Sequence, residues 1–129
     1  MTRTDKRDLC ERTFTFACDI VNFCRELSAE SGFVRNIAWQ LSAAGTSVAA
    51  NYEEAKAAYS RREFAHKNCL VLKEARESRL WLRIIIKCHL TPDDREAIRL
   101  HNESDELVGI FTVGVRKLRI AQTTAASES

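Results

Sequence analysis

The sequence predicts an all-α protein, an antiparallel up-down four-helix bundle, on three observations. Apolar residues return every three or four positions through four long stretches, the period of one helical face. One proline and four glycines leave too little turn chemistry for the many short strands of a sandwich or barrel. Short polar segments join the stretches, which sets consecutive helices side by side and antiparallel.

The first helix, over 5–28, carries Leu9, Thr13, Phe16, Ile20, Phe23 and Leu27 on one face. Ser28 to Gly32 lacks that period and holds a glycine, a common residue just past a helix end. The second helix runs from Phe33 to about Tyr59 on the stripe Val34, Ile37, Leu41, Ala44, Val48, Tyr52 and Ala55. Its alanines at 43, 44, 49 and 50 let a neighbour pack closely, and Gly45 predicts a close backbone approach or a bend. Ser60 followed by Glu63 is a capping box that opens the third helix. That helix runs to about Cys88, with Phe64, Val71, Ala75, Ser78, Leu82 and Ile85 facing inward. Thr91-Pro92-Asp93-Asp94 predicts the next start, because proline suits the first helical position and carboxylates suit the positive end of the helix dipole. The fourth stripe is Ile98, Leu100, Leu107, Val108, Phe111, Val115 and Leu118. Past Ile120 the residues are small and polar, so 1–120 reads as one domain and 121–129 as a disordered tail.

A formal charge of +2 carries no global argument for nucleic acid or an anionic membrane, so any basic site must be local. No apolar run approaches the length of a membrane span, and 1–8 lacks the apolar core of a secretory signal; the expected location is cytoplasmic, with no membrane partner. The five cysteines form no C-x-x-C pair and fall within helical patterns, which predicts reduced, mostly buried thiols, Cys88 among them.

Chemistry has little to stand on in these residues. Glu63 and His66 have the Glu-x-x-His spacing of two-metal bundles, but such a site wants the motif twice, and Glu63 already serves the capping box. Cys88 and His89 are adjacent, so on a helix they point about 100 degrees apart and cannot form a dyad. With no phosphate loop, nucleophile elbow or zinc spacing, the expectation is a non-enzyme with no cofactor. Two polar sets remain. Asn51, Asn68 and Ser78 lie at or within apolar stripes, where buried polar groups must be paired and commonly fix register or a subunit contact. Arg76, Arg79, Arg83 and Lys87 recur at three and four along the third helix, with Arg116, Lys117 and Arg119 adding charge on the fourth. Such a stripe is a candidate path for a phosphate backbone, or a solvated face whose stems cover Trp81.

Gln40-Leu41, the run Thr46-Ser47-Val48-Ala49-Ala50-Asn51-Tyr52-Glu53-Glu54-Ala55, then Ser60, Phe64, Lys67, Lys73-Glu74, Glu77 and Trp81-Leu82 form a further pattern. Over about Leu9 to Leu118 the chain resembles the bacterial four helix bundle protein family, the proteins encoded in intervening sequences of 23S ribosomal RNA genes. It is similar, more distantly, to the accessory variability proteins of diversity-generating retroelements. The resemblance implies a homo-oligomer, typically a ring of five bundles, with no catalysis demonstrated for the family in general. The retroelement branch implies RNA or DNA and a reverse transcriptase as partners. The chain departs from the pattern at Ala43, where a basic residue commonly follows the Gln-Leu pair.

The expected function is that of an oligomeric scaffold or adaptor whose second and third helices supply the subunit contacts. Asn51, Tyr52, Glu54, Lys73, Glu74, Glu77 and Trp81 form the candidate packing signature. The competing expectation is a nucleic-acid-binding accessory protein using Arg76, Arg79, Arg83 and Lys87.

Overall fold

The computed structural model describes residues 6–30 and 32–128, with side chains described over 9–30 and 32–124. Four helices follow one another, α1 (Lys6–Leu27), α2 (Phe33–Lys56), α3 (Arg61–Lys87) and α4 (Arg95–Glu128), with no strand among the described residues. Cys10 meets Lys56 and Ile20 meets the backbone at Gly45, so α1 and α2 run in opposite directions. Each helix packs extensively on the next, whereas α4 and α1 meet sparsely. The result is the antiparallel bundle that the periodicity predicts, a square of helices with one looser side.

The inward stripes explain that arrangement. Phe16, Ile20, Leu41, Val48, Val71, Leu82, Ile85, Leu100 and Leu107 each retain less than 2% of their surface. Burying such a side chain contributes about 1.5–3 kcal/mol, so these positions dominate the favourable side of folding. Tyr52 of α2 reaches across the diagonal to Phe111 of α4, ring centroids 5.6 Å apart and edge-on at 76°. One expected core residue is displaced: Ile98 is 41% exposed, and Ala97 is buried instead. Ala97, Leu100, Ser104, Leu107 and Phe111 share one face, and Ile98 lies about 100 degrees off it.

Helix ends follow local chemistry, with three departures from expectation. Ser60 Oγ accepts the Glu63 N–H at 3.0 Å, and the Glu63 carboxylate accepts the Tyr59 N–H at 2.8 Å, so the box caps α3 as predicted. α2 stops at Lys56 rather than near Tyr59 because Ala57 and Ala58 turn back onto the carbonyls three residues before them. α4 starts at Arg95, after Pro92 rather than at it. The Asp93 carboxylate there accepts the Arg95 N–H at 3.1 Å and also its guanidinium, contacts that hold its carboxyl down to about 2. α4 also continues to Glu128, through the segment the sequence assigns to a disordered tail. That segment contains no glycine or proline to stop a helix.

α3 ends in a device that the sequence does not advertise. His89 adopts φ 54°, the left-handed conformation usually taken by glycine. This lets Leu90 N–H reach the Ile85 carbonyl at 3.0 Å and His89 N–H the Ile86 carbonyl at 3.2 Å, while Leu90 packs on the core.

The cysteines correct another expectation. Only Cys24 is buried, Cys10 and Cys69 are half-buried, and Cys18 and Cys88 are exposed; all five are free thiols. Cys88 follows the last residue of α3, beyond the reach of the inward stripe.

Gly45 is the close approach that the sequence suggests. A Cβ there would stand 2.7 Å from Ile20 Cγ2, inside contact distance, while a Cβ at Gly109 would meet nothing within 4 Å. Gly45→Ala is therefore expected to lower stability by about 1–3 kcal/mol, the cost of overpacking a filled core. Gly109→Ala is expected to raise it by about 0.5–1 kcal/mol, because only backbone freedom of the unfolded chain changes. Denaturant unfolding at one fixed protein concentration checks both signs.

Candidate functional site

The residues of the packing signature are drawn mostly into contacts within this chain. Tyr52 is core, its hydroxyl pushed above the usual tyrosine range mainly by burial. Glu54 on α2 accepts from Lys67 on α3 at 2.6 Å, a half-exposed strut between helices. Glu77 accepts the Trp81 indole N–H one turn along α3 at 3.1 Å. Asn51 donates to the Ser47 carbonyl of its own helix at 2.9 Å. Asn68 and Ser78 do likewise, to Phe64 and Glu74, at 2.8 and 2.9 Å. These bonds stay within one helix and so fix no register between helices. Lys73 points to solvent.

Glu74 is the member that the fold leaves in tension. It is half-buried, has no ion pair among the described residues, and faces the like charge of Glu77. Burial first, and Glu77 second, raise its carboxyl above the ordinary glutamate value of 4.5.

The basic stripe is divided by the structure. Arg79 is tied to Asp105 of α4 at 2.7 Å. Arg76, Arg83 and Lys87 are exposed and have no ion pair among the described residues. The stripe therefore presents, among the described residues, three cations without an ion pair on the outward side of α3.

Sequence reasoning missed the closure of α1 on α4. Arg12 is largely buried and grips Glu103 through two bonds of 3.0 and 2.7 Å, with a third to Glu106 at 3.0 Å. These carboxylates hold the guanidinium charged, Glu103 most strongly. Further along, Arg99 bridges Asp19 and Glu96 at 3.0 and 2.6 Å. Glu103 and Glu106 are one turn apart in the sequence, but nothing there names Arg12, 91 and 94 positions away, as their partner.

Two outward apolar surfaces were also missed. One lies over α1 and α2, where Phe14, Val21 and Trp39 are 60%, 37% and 68% exposed. Val21 and Trp39 line a recess of about 180 Å³ there, together with Cys24 and Ala38. The other is a groove of about 670 Å³ between α3 and α4, lined by Leu80, Ile84, Ile86 and Ile98 and by the cations Arg83 and Lys87. A larger cleft of about 680 Å³ between the end of α1 and the start of α4 is lined by charges such as Arg95, Glu96 and Arg99 that already pair with neighbours. Large apolar side chains mixed inside a helical pattern give no sequence signal of which one faces water; Ile98 beside Leu100 is the instance.

The chemical candidates are either engaged in capping or exposed. Glu63 is engaged by the Tyr59 backbone and His66 is exposed. Among the described residues, no three His, Cys, Asp or Glu side chains gather as metal ligands would. The Cys24 thiol is pushed up to about 12 by burial, which opposes the thiolate form a nucleophile needs. No helix among the described residues is long and apolar enough to cross a membrane.

These features define a class: an all-α four-helix bundle whose polar seams brace the fold and whose distinctive outward features are apolar recesses and a row of cations without an acidic partner among the described residues. The chain belongs to the 23S rRNA-intervening sequence protein family, whose model matches residues 5–112. It is similar to a crystal structure of a protein of unknown function from the S23 ribosomal protein family of Bacteroides thetaiotaomicron, 28% identical, with a TM-score of 0.74. The match covers 83% of this chain and 97% of that one. No curated protein matches the chain.

The strain at Glu74 has a measurable sign. Its raised folded-state value means the fold binds this proton more tightly than the unfolded chain does, so stability falls as pH rises through that range. Glu74→Gln is expected to stabilise the protein at neutral pH by less than about 1 kcal/mol, given the partial exposure. The gain should vanish once pH is well below 4.5, where both states are protonated. Denaturant midpoints of both proteins across that range check it.

Proposed function

We propose that this protein is a non-catalytic, self-associating scaffold or adaptor whose copies meet through the outward face of α1 and α2. The single observation that carries this reading is the exposure of Phe14, Val21 and Trp39 on that face. Phe14 and Val21 are seven residues apart, hence in line along α1, and Val21 and Trp39 line the same recess. Around them, Ala43 and Ala50 on α2 carry no bulk, which allows a second helical surface to approach. Apolar surface of this kind marks interaction sites, and burying each large side chain contributes about 1.5–3 kcal/mol. The reading moves the contact from the α2–α3 pair expected from the sequence to the α1–α2 pair, since Asn51, Tyr52, Glu54 and Glu77 are used inside the chain.

A second reading, an accessory protein that binds RNA or DNA, is favoured by Arg76, Arg83 and Lys87, exposed cations with no acidic partner among the described residues. Light scattering tests the two together. The scaffold reading expects a closed assembly at a multiple of the 14.7 kDa chain mass, reduced towards a single chain by Trp39→Lys with helical content unchanged. A single chain at every concentration contradicts it. Under the second reading, added single-stranded RNA raises the mass at low ionic strength, and replacing the three cations by glutamine removes that increase.

A further inference from the structure

We propose that the groove between α3 and α4 is a docking site for an amphipathic helix of another protein, one whose apolar face is flanked by acidic residues. The inference rests on the adaptor reading and names the partner that the adaptor holds. Its floor is aliphatic: Leu80 and Ile98 are 49% and 41% exposed, and Ile84 and Ile86 are half-buried beside them. Arg83 and Lys87 belong to the same lining. Neither has an acidic partner among the described residues, whereas Arg79 on the same helix is neutralised by Asp105. The groove thus offers apolar burial and two uncompensated positive charges in one place, and the complementary surface is apolar with carboxylates beside it.

The length of the groove, the backbone needs of its occupant and the chemistry of its floor favour a helix. From Leu80 to Lys87 the groove follows α3 for about two turns, roughly 10 Å, the span over which a helix presents anchors at i, i+3, i+4 and i+7. An extended peptide would have to leave its backbone groups to water or bury them unpaired, because the described residues contain no strand edge to pair with it. A helix satisfies its own backbone and packs into the furrow between two others. A nucleic acid would find cations at the rim but a floor made mainly of aliphatic side chains, with the half-buried His101 as the one ring in the lining on which a base could stack.

The test uses the full chain and two labelled synthetic helical peptides. Both carry leucines at i, i+3, i+4 and i+7, with glutamates beside them in one and lysines in the other. Fluorescence anisotropy is expected to show saturable binding of the glutamate peptide, at least about tenfold tighter than the lysine peptide. Arg83→Glu with Lys87→Glu should reverse that order, and Ile98→Asp should weaken both peptides; all three positions are exposed, so the fold tolerates the changes. Equal affinity for the two peptides, or binding of neither, overturns the proposal. So does a single-stranded RNA that displaces the glutamate peptide and whose own binding survives Ile98→Asp, which would assign the groove to phosphate. Light scattering of the same samples separates this failure from failure of the scaffold reading: loss of assembly in Ile98→Asp makes the groove a contact between copies and also overturns it. A wild-type single chain removes the scaffold reading, while the anisotropy still reports on the groove.

Discussion

Each of the four helices carries one apolar stripe, and hiding all four at once is the constraint on which the rest of the molecule depends. With Phe16, Ile20, Leu41, Val48, Val71, Leu82 and Leu107 turned inward, the rotation of every helix about its axis is set. That rotation decides which residues are left facing water. Phe14, Trp39 and Ile98 are outward because their neighbours at the right period occupy the core, and the same geometry sends Arg76, Arg83 and Lys87 to the surface. Function in such a bundle is a property of these leftover faces.

The four sides of the square close by different means. α1 and α2 approach closely because Gly45 makes room for Ile20. α2 and α3 add the Glu54–Lys67 strut, and α3 and α4 add Arg79–Asp105. α4 and α1 touch sparsely and rely on Arg12 with Glu103 and Glu106, and on Arg99 with Asp19. A largely buried, bidentate guanidinium is worth more than an exposed pair, so Arg12 is the main latch on that side. The helices at either side of the latch have one well-packed neighbour each, while α2 and α3 have two.

Much of the fold was legible in the sequence because burial has a period. The stripe residues from Leu9 to Leu27 are buried as a set, and the Ser60–Glu63 box caps α3 where the pattern placed it. The misses lie where packing or local backbone geometry, rather than period, decides the outcome. Ile98 looks as apolar as Leu100 until Ala97 takes its place inside. The end of α3 depends on a histidine in a conformation usually taken by glycine. Of the site residues, Tyr52 and Glu54 were singled out by pattern, and within the chain they meet Phe111 and Lys67. Arg12, Trp39 and the α3–α4 groove carry no local motif, since a latch, an uncovered ring and a furrow exist only after packing.

If core burial through α2 and α3 holds the bundle and the α4–α1 side closes it, protection of backbone amides must be graded. Native-state hydrogen exchange followed residue by residue tests this most directly. The account predicts the slowest exchange in α2 and α3, around Val48, Tyr52, Val71 and Leu82, with α1 and α4 opening at lower free energy. Uniform protection across the four helices, or the slowest amides lying in α1 or α4, would contradict it.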